Sequence, residues 1–472
     1  MTEDSSRADT RSQADTGLPA TRLRATGPAS DPAPGADRAR PRDLPGWLLI
    51  AGAVCFAMSA AALLALIRHH PRFMWGMIDL RVYLLGGSLL RHTGDPYGAT
   101  FGTSNLQFIY PPIAAGFFGL LSGIKLHYLR MVTEAASIGS LLAVLWLTWG
   151  ALGYRRSAGR LGATLLVAAV ALWTEPVQQT LDFGQVNLVL MLAIVADLTQ
   201  PDRRWFKGIG VGIAAGIKLT PLVFIPYLLL TRRYRAAAVA AGTFALTIVV
   251  SLLAFPKAAD RYWLHGLFWN DQHAVNPVYV GNQSLYGAVA RILGSATGVQ
   301  PYWLAAAAVA GAAGLLVAVW ASRAGLEMTG ILACALTSLL VSPISWSHHW
   351  VWIVPALAVL ADWAVRRARH RAVRDARPWA GWLGLAAVVA LYLAYPRPAT
   401  QGIGGEQIPG GLIWTLPPRT LQGTGLDGFQ QLIGSLYPLL GLAALAGLAI
   451  VLRHRARAAA GSLPCPPAAD RA

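Results

Sequence analysis

An acidic side chain lies among apolar residues in the segment GMIDLRVYLLGG (76–87), which follows the first long apolar run of the chain. Asp79 precedes Tyr83 by four residues, so both lie on one face of a helix, whereas Arg81 points to another face. A carboxylate with its ordinary pKa of about 3.9 is ionised at neutral pH and can accept a proton from a hydroxyl. Asp79 is therefore a candidate general base; the alternative is an interfacial helix cap or an ion pair with Arg72.

A lysine lies deep in a second apolar segment, GIAAGIKLTPLV (212–223). Burying Lys218 at such depth costs roughly 2.5–3.5 kcal/mol on membrane-insertion scales, unless the ammonium group meets water or an anion. Thr220 and Pro221 predict a helix break here, since proline disfavours helix for the residue before it. Lys218 is either a cation that contacts a phosphate or a side chain that snorkels to the membrane interface.

Two amide side chains stand at the mouth of a third apolar run, in LDFGQVNLVL (181–190). Gln185 and Asn187 can bond to neighbouring helices, which is the structural interpretation. They can also bond to the hydroxyl or phosphate oxygens of a substrate. Both interpretations stay open from the residues alone.

A polar turn rich in Ser, Trp and His, SPISWSHHWVW (342–352), joins two apolar runs. Adjacent residues do not share a helical face, so His348 and His349 form a poor metal pair. Indole faces can stack on sugar rings, and a histidine with a pKa near 6.5 can relay a proton or donate to a phosphate. An aromatic belt at the membrane interface is the alternative.

The composition places these residues in a membrane. Of the 472 residues, 55% are hydrophobic and 13% are charged, against roughly 25% charged in ordinary proteins, which excludes a typical soluble globule. The net charge of +17 is concentrated in arginine-rich segments between apolar runs, notably 366–377 and 453–457. These segments lack interleaved aromatic residues, so they indicate the positive-inside pattern beside anionic lipids and not nucleic-acid binding.

The apolar runs predict an all-α polytopic membrane protein with about 12 transmembrane helices. The candidate spans are 47–67, 107–124, 131–152, 161–175, 184–199, 208–230, 235–255, 302–322, 326–342, 348–365, 379–395 and 432–452. Residues 45–455 then form one membrane domain, between a disordered cytoplasmic tail at 1–44 and a cytoplasmic tail at 456–472. Both termini lie inside, and the long loops 68–106, 256–301 and 396–431 lie outside. Many polar and aromatic residues in these loops indicate short interfacial helices that roof a site.

The middle of the chain disagrees with strict alternation, which puts the basic segments 154–160 and 202–207 outside. An alternative topology removes this disagreement. In it, 208–230 forms two half-helices broken at Lys218–Pro221, and 107–124 does not fully cross the membrane. Broken helices are tolerated where they line a cavity. We prefer this arrangement, which also moves Gln185 and Lys218 to the outer side.

Cysteine and acid spacing predict no metal site. Cys55, Cys334 and Cys465 share no metal-like spacing and suggest no disulfide framework. The acids Asp79, Asp95 and Asp271 stand apart in sequence and form no dense cluster. We therefore expect neither a bound metal nor another cofactor.

Taken together, the motifs resemble those of glycosyltransferase family 87, over about residues 47–365. The segments that carry the resemblance are DLRVY (79–83), DPYG (95–98), FIYPP (108–112), FGQVNLVLMLAIVADL (183–198), GIAAGIKLTPLVFIPYLLLTRRYR (212–235), NQSLYG (282–287) and SPISWSHHW (342–350). Each is moderately specific, and their order and spacing make the assignment.

The resemblance implies a GT-C-type fold and an inverting transfer of a hexose, with mannose expected, from a polyprenyl monophosphate. The acceptor is a hydroxyl of a glycolipid or lipid-linked glycan at the outer face of the bacterial plasma membrane, and an α-1,2 linkage is expected. The family's catalytic carboxylate, just ahead of a Val-Tyr pair, corresponds to Asp79. The donor already carries its leaving group, so the mechanism demands no metal.

The remaining site residues receive roles within this chemistry. Lys218 is the first candidate to contact the departing phosphate, and His348 or His349 is the next. Gln185 and Asn187 are candidate orienting groups. Arg81 and Tyr83 are the last two candidate substrate-binding residues. Arg81 would face headgroups or the donor phosphate.

Two other classes of protein remain as alternatives. A transporter or flippase of a lipid-linked saccharide would also have about 12 helices, but it more often shows paired halves and intramembrane acids. A non-catalytic envelope scaffold needs no lone acid opposite basic and amide groups.

Overall fold

A computed structural model describes residues 42–69, 76–102, 106–267, 276–371, 379–398, 407–417 and 419–461. Arg72, Asp271, Cys465 and most of the predicted tails 1–44 and 456–472 lie outside these residues. The described chain is mostly helical, as predicted.

The helices follow the apolar runs of the sequence. In chain order they are α1 (Leu48–His69), α2 (Ile78–Thr93), α3 (Pro112–Leu121), α4 (Leu126–Ala151), α5 (Ala158–Ala171), α6 (Glu175–Phe183), α7 (Asn187–Leu198), α8 (Ile209–Ile217), α9 (Phe224–Leu230), α10 (Tyr234–Ala254), α11 (Leu285–Leu293), α12 (Gln300–Arg323), α13 (Glu327–Val341), α14 (Ile353–Arg371), α15 (Ala380–Tyr392), α16 (Gly428–Gly434) and α17 (Leu436–Gly461).

Five of these helices, α1, α4, α10, α12 and α17, are long and apolar enough to cross a membrane. The pair α6 and α7 makes a sixth if it is one span, although its axes differ by 115°. Helices α3, α5, α13 and α15 are apolar but have only 10 to 17 residues, less than the roughly 20 that a 30 Å hydrocarbon core requires. The chain is a polytopic membrane protein, and the total of 12 crossings stays a prediction.

The predicted break at Lys218 is confirmed. Helix α8 ends at Ile217, Lys218 is extended with φ −146° and ψ 128°, and a 3₁₀ turn runs through Thr220–Val223 before α9. Pro221 lacks the amide hydrogen that a continuous helix would use there. Because the helix is interrupted here, the Lys218 side chain can point away from the axis of α8.

Small residues let α8 pack tightly against α10. A Cβ atom on Gly212 would lie 2.5 Å from Cβ of Thr243, and one on Gly216 would lie 2.6 Å from Oγ1 of Thr247. A Cβ atom at either position would collide with α10, so glycine permits this close approach of the two helices. This packing fixes the position of the helix end that carries Lys218.

The predicted long loops carry short elements of regular structure. The first contains α2 and the antiparallel strands β1 (Thr100–Phe101) and β2 (Leu106–Gln107). The second contains a helical turn at Pro256–Ala259, a π turn at Asp260–Leu264, and α11. The third pairs β3 (Tyr395–Pro398) with β4 (Gln407–Gly410), and a 3₁₀ turn at Leu412–Thr415 and α16 follow.

Candidate active site

Asp79 and Tyr83 lie on α2, and the prediction that they share one face of a helix is confirmed. Nε2 of Gln185 donates a hydrogen bond to the Asp79 carboxylate. The Tyr83 hydroxyl donates to Oε1 of the same amide at 2.6 Å and lies 3.0 Å from the hydroxyl of Tyr110. Tyr83 therefore orients the Gln185 amide so that its NH₂ group faces the carboxylate.

A sharp bend between α6 and α7 places Gln185 beside α2. Gly184 ends α6 in the left-handed region, with φ 67°, which glycine adopts without steric cost. A Cβ atom on Gly184 would lie 2.9 Å from Cβ of Leu80 and 3.0 Å from Cβ of Met77. The backbone amide of Met77 also donates to the carbonyl of Asp182 at 2.9 Å. The bend thus docks directly on the first turn of α2, one residue away from Asp79.

Lys218 joins the second half of the site. Its ammonium nitrogen donates to Oδ1 of Asn187 at 3.0 Å and lies 2.9 Å from Nε2 of His349. It also lies 5.7 Å from the centre of the Tyr110 ring, within the range of a cation–π contact. Tyr110 thus borders both Tyr83 and Lys218 and connects the two halves of the site.

The histidine pair lies in a buried 3₁₀ turn, Ser347–Trp352, that precedes α14. The backbone carbonyl of His348 accepts hydrogen bonds from Nδ2 of Asn187 at 2.9 Å and from the Thr180 hydroxyl at 3.1 Å. The two imidazole rings meet edge to face, 4.8 Å apart. His348 turns its ring towards Phe183, so only His349 contacts Lys218.

This turn is held in place by Asn282 of the NQSLYG segment. The fully buried Asn282 donates through Nδ2 to the carbonyls of Pro277 and Pro343, and its Oδ1 accepts from the amide of Ser345. The backbone amide of Gln283 donates to the Ser345 carbonyl at 2.7 Å. The segment is therefore a clamp on the stretch that leads into the histidines.

Arg81 lies apart from this cluster. It is on α2, with Asp79 and Tyr83, but its charge lies near that of Arg130 on α4. Its buried Nε makes no hydrogen bond among the described residues. The structure therefore brings together seven of the eight predicted site residues, and the proposed role of Arg81 stays a prediction.

Burial controls the protonation of the candidate base. Helix α2 is outside the candidate membrane spans, and the removal of Asp79 from water raises the pKa of its carboxyl to about 6. The hydrogen bond from Gln185 and, to a smaller degree, the charge of Lys218 act in the opposite direction. A carboxylate with this pKa is ionised at neutral pH and is a stronger base than an exposed aspartate.

Three contributors to the site were not predicted as site residues. Tyr110 and Asn282 lie in the family segments FIYPP and NQSLYG, and Thr180 lies in none of the segments quoted above, but none of the three carries a charge that would single it out. Each comes from an element distant in sequence from the side chains that it contacts. Among the described residues, no three His, Cys, Asp or Glu side chains lie together as a metal-binding group.

The candidate site can stabilise opposite charges on its two sides. A basic carboxylate stands on one side, and a cation with amide and imidazole neighbours stands on the other. A cavity of about 40 Å³ reaches from Asn187, Lys218 and His349 to apolar neighbours that include Phe224 and Trp352. A group that loses a proton on one side and gains negative charge on the other would be stabilised here.

Comparisons with known proteins find a matching family and several relatives. The sequence profile of glycosyltransferase family 87 matches residues 108–343. A polyprenol-phosphate-mannose-dependent alpha-(1-2)-phosphatidylinositol pentamannoside mannosyltransferase of Mycobacterium tuberculosis is 35% identical over 360 residues, which cover 73% of this chain and 81% of that protein. The protein with the same description from Mycolicibacterium smegmatis is 33% identical over 335 residues, 69% of this chain and 79% of that protein.

A third relative has a different acceptor in its name. It is a polyprenol-phosphate-mannose-dependent alpha-(1-2)-phosphatidylinositol mannoside mannosyltransferase of Mycobacterium tuberculosis, 33% identical over 298 residues, which cover 60% of this chain and 67% of that protein. No solved structure matches the chain.

Proposed function

The chain belongs to glycosyltransferase family 87, and on this premise we propose that it is a membrane mannosyltransferase that takes its sugar from a polyprenyl phosphate. The names of its relatives support this donor class. The observation that carries the chemistry is the part-buried Asp79 carboxylate, to which Gln185 donates a hydrogen bond and which feels the charge of Lys218.

Asp79 acts as the general base in this proposal. The acceptor hydroxyl loses its proton to Asp79 while its oxygen attacks the anomeric carbon of the donor. The bond from that carbon to the phosphate oxygen breaks, and its electron pair leaves with the polyprenyl phosphate. Attack opposite the leaving group inverts the anomeric centre, so a β-linked donor yields an α-linked product, for which we propose the α-1,2 linkage of the relatives.

Lys218 offsets the charge that grows on the leaving phosphate. Its ammonium group has uncharged hydrogen-bond partners, Asn187 and a histidine ring nitrogen of His349, so its positive charge is not cancelled by a neighbouring carboxylate in direct contact. A fixed cation aimed at developing negative charge lowers the barrier without reorganising during the reaction. Asn187 and His349 hold that cation in place and offer further donors to phosphate oxygens.

The acceptor in this proposal is a phosphatidylinositol mannoside or a related lipid-linked glycan. We place the reaction at the outer face of the plasma membrane, with both termini cytoplasmic and about 12 crossings of GT-C type. The arginine-rich segments 366–377 and 453–457 support this orientation through the positive-inside rule. The loops that carry α2 and α11 then lie on the side of the substrate.

The test uses the purified full chain in lipid vesicles or nanodiscs. Labelled mannosyl, glucosyl and arabinosyl polyprenyl phosphates are supplied in turn with a phosphatidylinositol mannoside acceptor, and the labelled glycolipid is identified by mass and linkage analysis. Transfer from the mannosyl donor alone, with an α-1,2 bond, supports the proposal. Transfer from another sugar corrects the donor, and no glycosidic bond with any donor contradicts the proposal.

A flippase is the second candidate because the fold is polytopic. It would move a lipid-linked saccharide across sealed vesicles without making a new glycosidic bond. Movement of the label in the absence of product would favour it.

A further inference from the structure

A cleft of about 560 Å³ lies between helices α13, α14, α15 and α17, and the proposed reaction does not use it. Residues at helical spacing line it, such as Leu332 and Leu336 on α13 or Leu440, Ala444 and Leu448 on α17. Positions three or four residues apart share a helical face, so each helix contributes one continuous apolar stripe. The volume is within the range of about 300–1,000 Å³ that is typical of ligand sites.

The two ends of this cleft differ in chemistry. Trp350 and Trp352 lie at one end, and Trp352 also lines the small cavity beside Lys218. Arg366 and Arg455 lie at the other end. Ile353 and Arg366 line the cleft thirteen residues apart on α14, which corresponds to about 20 Å along a helix. This length exceeds the depth of one membrane leaflet, about 15 Å.

The arginine end carries an excess of positive charge. Asp362 is the acid at this end, and its carboxylate accepts from the Tyr154 hydroxyl at 2.9 Å and pairs with Arg366 at 2.6 Å and Arg42 at 3.4 Å. These two arginines already exceed the charge of Asp362. Arg455 is exposed and forms no ion pair among the residues that the structure describes, so its charge is available to a ligand.

We propose that this cleft binds an anionic diacyl phospholipid, with its acyl chains along the apolar stripes and its phosphate at Arg366 and Arg455. The charge distribution favours this occupant over the hydrocarbon tail of the polyprenyl donor. The donor phosphate belongs beside Lys218, beyond Trp352 at the opposite end, and a tail alone would leave the arginine end without an anion. Arginines near a membrane surface attract anionic lipids in this way.

Native mass spectrometry of the purified full chain tests the proposal. The protein is titrated with phosphatidylglycerol and, separately, with zwitterionic phosphatidylcholine. Arg455→Gln removes the available cation, and Arg453→Gln is its matched control, because Arg453 is exposed on the same helix but does not line the cleft. Gly447→Trp fills the cleft, since a Cβ atom there meets nothing within 4 Å; Gly242→Trp on α10 meets equally open space outside the cleft.

The wild-type chain should retain one phosphatidylglycerol in preference to phosphatidylcholine. Arg455→Gln should weaken phosphatidylglycerol binding roughly fivefold, the value of one arginine near a membrane surface, and Gly447→Trp should abolish the bound lipid. Both control variants should bind as the wild type does. Equal retention of the two lipids, or binding unchanged in both cleft variants, would overturn the proposal. Displacement of the bound phospholipid by polyprenyl phosphate would also overturn it and assign the cleft to the donor tail. The measurement reads lipid binding and not sugar transfer, so its failure is separate from a failure of the mannosyltransferase proposal.

Discussion

The ammonium nitrogen of Lys218 lies 2.9 Å from Nε2 of His349. A lysine in its ammonium form can only donate, so with this form of Lys218 the Nε2 atom accepts and the proton of the neutral imidazole is on Nδ1. A neutral His349 then adds no second charge beside the ammonium group. This relationship gives the two residues different roles, cation and positioning partner, that separate substitutions can distinguish.

Replacing Lys218 by Met should slow the transfer step. The variant keeps the length of the side chain but removes the charge that stabilises the leaving phosphate, so we expect kcat to fall on the order of 10²-fold. Single-turnover transfer from labelled donor measures this change. Lys125→Met, at an exposed position before α4, is the control, and equal rates in the two variants would exclude Lys218 from the reaction.

Replacing His349 by Ala should reduce transfer, by no more than the loss of Lys218 itself. A hydrogen bond to a charged group contributes about 1.5–3 kcal/mol, which corresponds to roughly 10- to 100-fold. His349→Gln offers an amide oxygen to Lys218 and should recover part of the activity. Exposed His127 provides the control substitution to Ala. A His349→Gln variant as inactive as His349→Ala would contradict a positioning role and point to direct proton transfer.

Replacing Asp79 by Asn should nearly abolish transfer while the fold is retained. The amide keeps the shape of the side chain but cannot take the acceptor proton, and general bases contribute about 10²–10⁴-fold. Turnover of labelled donor with a saturating acceptor gives kcat, and Asp260→Asn, on the exposed π turn, is the matched control. Transfer at the wild-type rate by Asp79→Asn would refute the proposed mechanism.

The rate should depend on pH through the Asp79 carboxyl. Because the base acts in its ionised form and burial raises its pKa to about 6, kcat/KM should be level above this value and fall tenfold per pH unit below it. Rates from about pH 5 to pH 8 measure the acid limb.

Gln185→Ala provides an internal check on this assignment. The hydrogen bond from Gln185 lowers the Asp79 pKa, so its loss should move the acid limb to higher pH. An unchanged limb in Gln185→Ala would mean that another group controls the profile.

Replacing Asn282 by Ala should destabilise the folded chain. The substitution removes three buried hydrogen bonds, each worth on the order of 1 kcal/mol, so we expect a loss of about 3 kcal/mol. Thermal unfolding in detergent measures the change, with exposed Asn276→Ala for comparison. Equal melting temperatures for the two variants would show that the hydrogen bonds of Asn282, including the one to Ser345, do not stabilise the folded chain.

Some of this architecture follows from local sequence. Pro221 predicts the helix break because its ring is incompatible with a continuous helix, and the four-residue spacing of Asp79 and Tyr83 predicts their shared face. Both features depend on residues close together in the chain. The family motifs add the role of Asp79, which no local pattern supplies.

Other features depend on contacts that local sequence does not encode. Gly184 can be a packing residue or a left-handed turn, and only its contact with Leu80 and Met77 reveals the bend. The positions of Tyr110 and Thr180 in the site depend on contacts with residues far away in sequence. The count of crossings stays a prediction because the helices of 10 to 17 residues are shorter than a bilayer core, and hydropathy alone cannot say whether they cross.

The clamp formed by Asn282 has a consequence for production of the protein in eukaryotic cells. Residues 282–284 read Asn-Gln-Ser, the acceptor sequence for N-linked glycans. In the folded chain the Asn282 amide is fully buried and already bonded to two backbone carbonyls, so an oligosaccharyltransferase cannot reach it. A glycan at this position would therefore mark chains that were modified before the loop closed, and its abundance would report how many molecules had failed to fold.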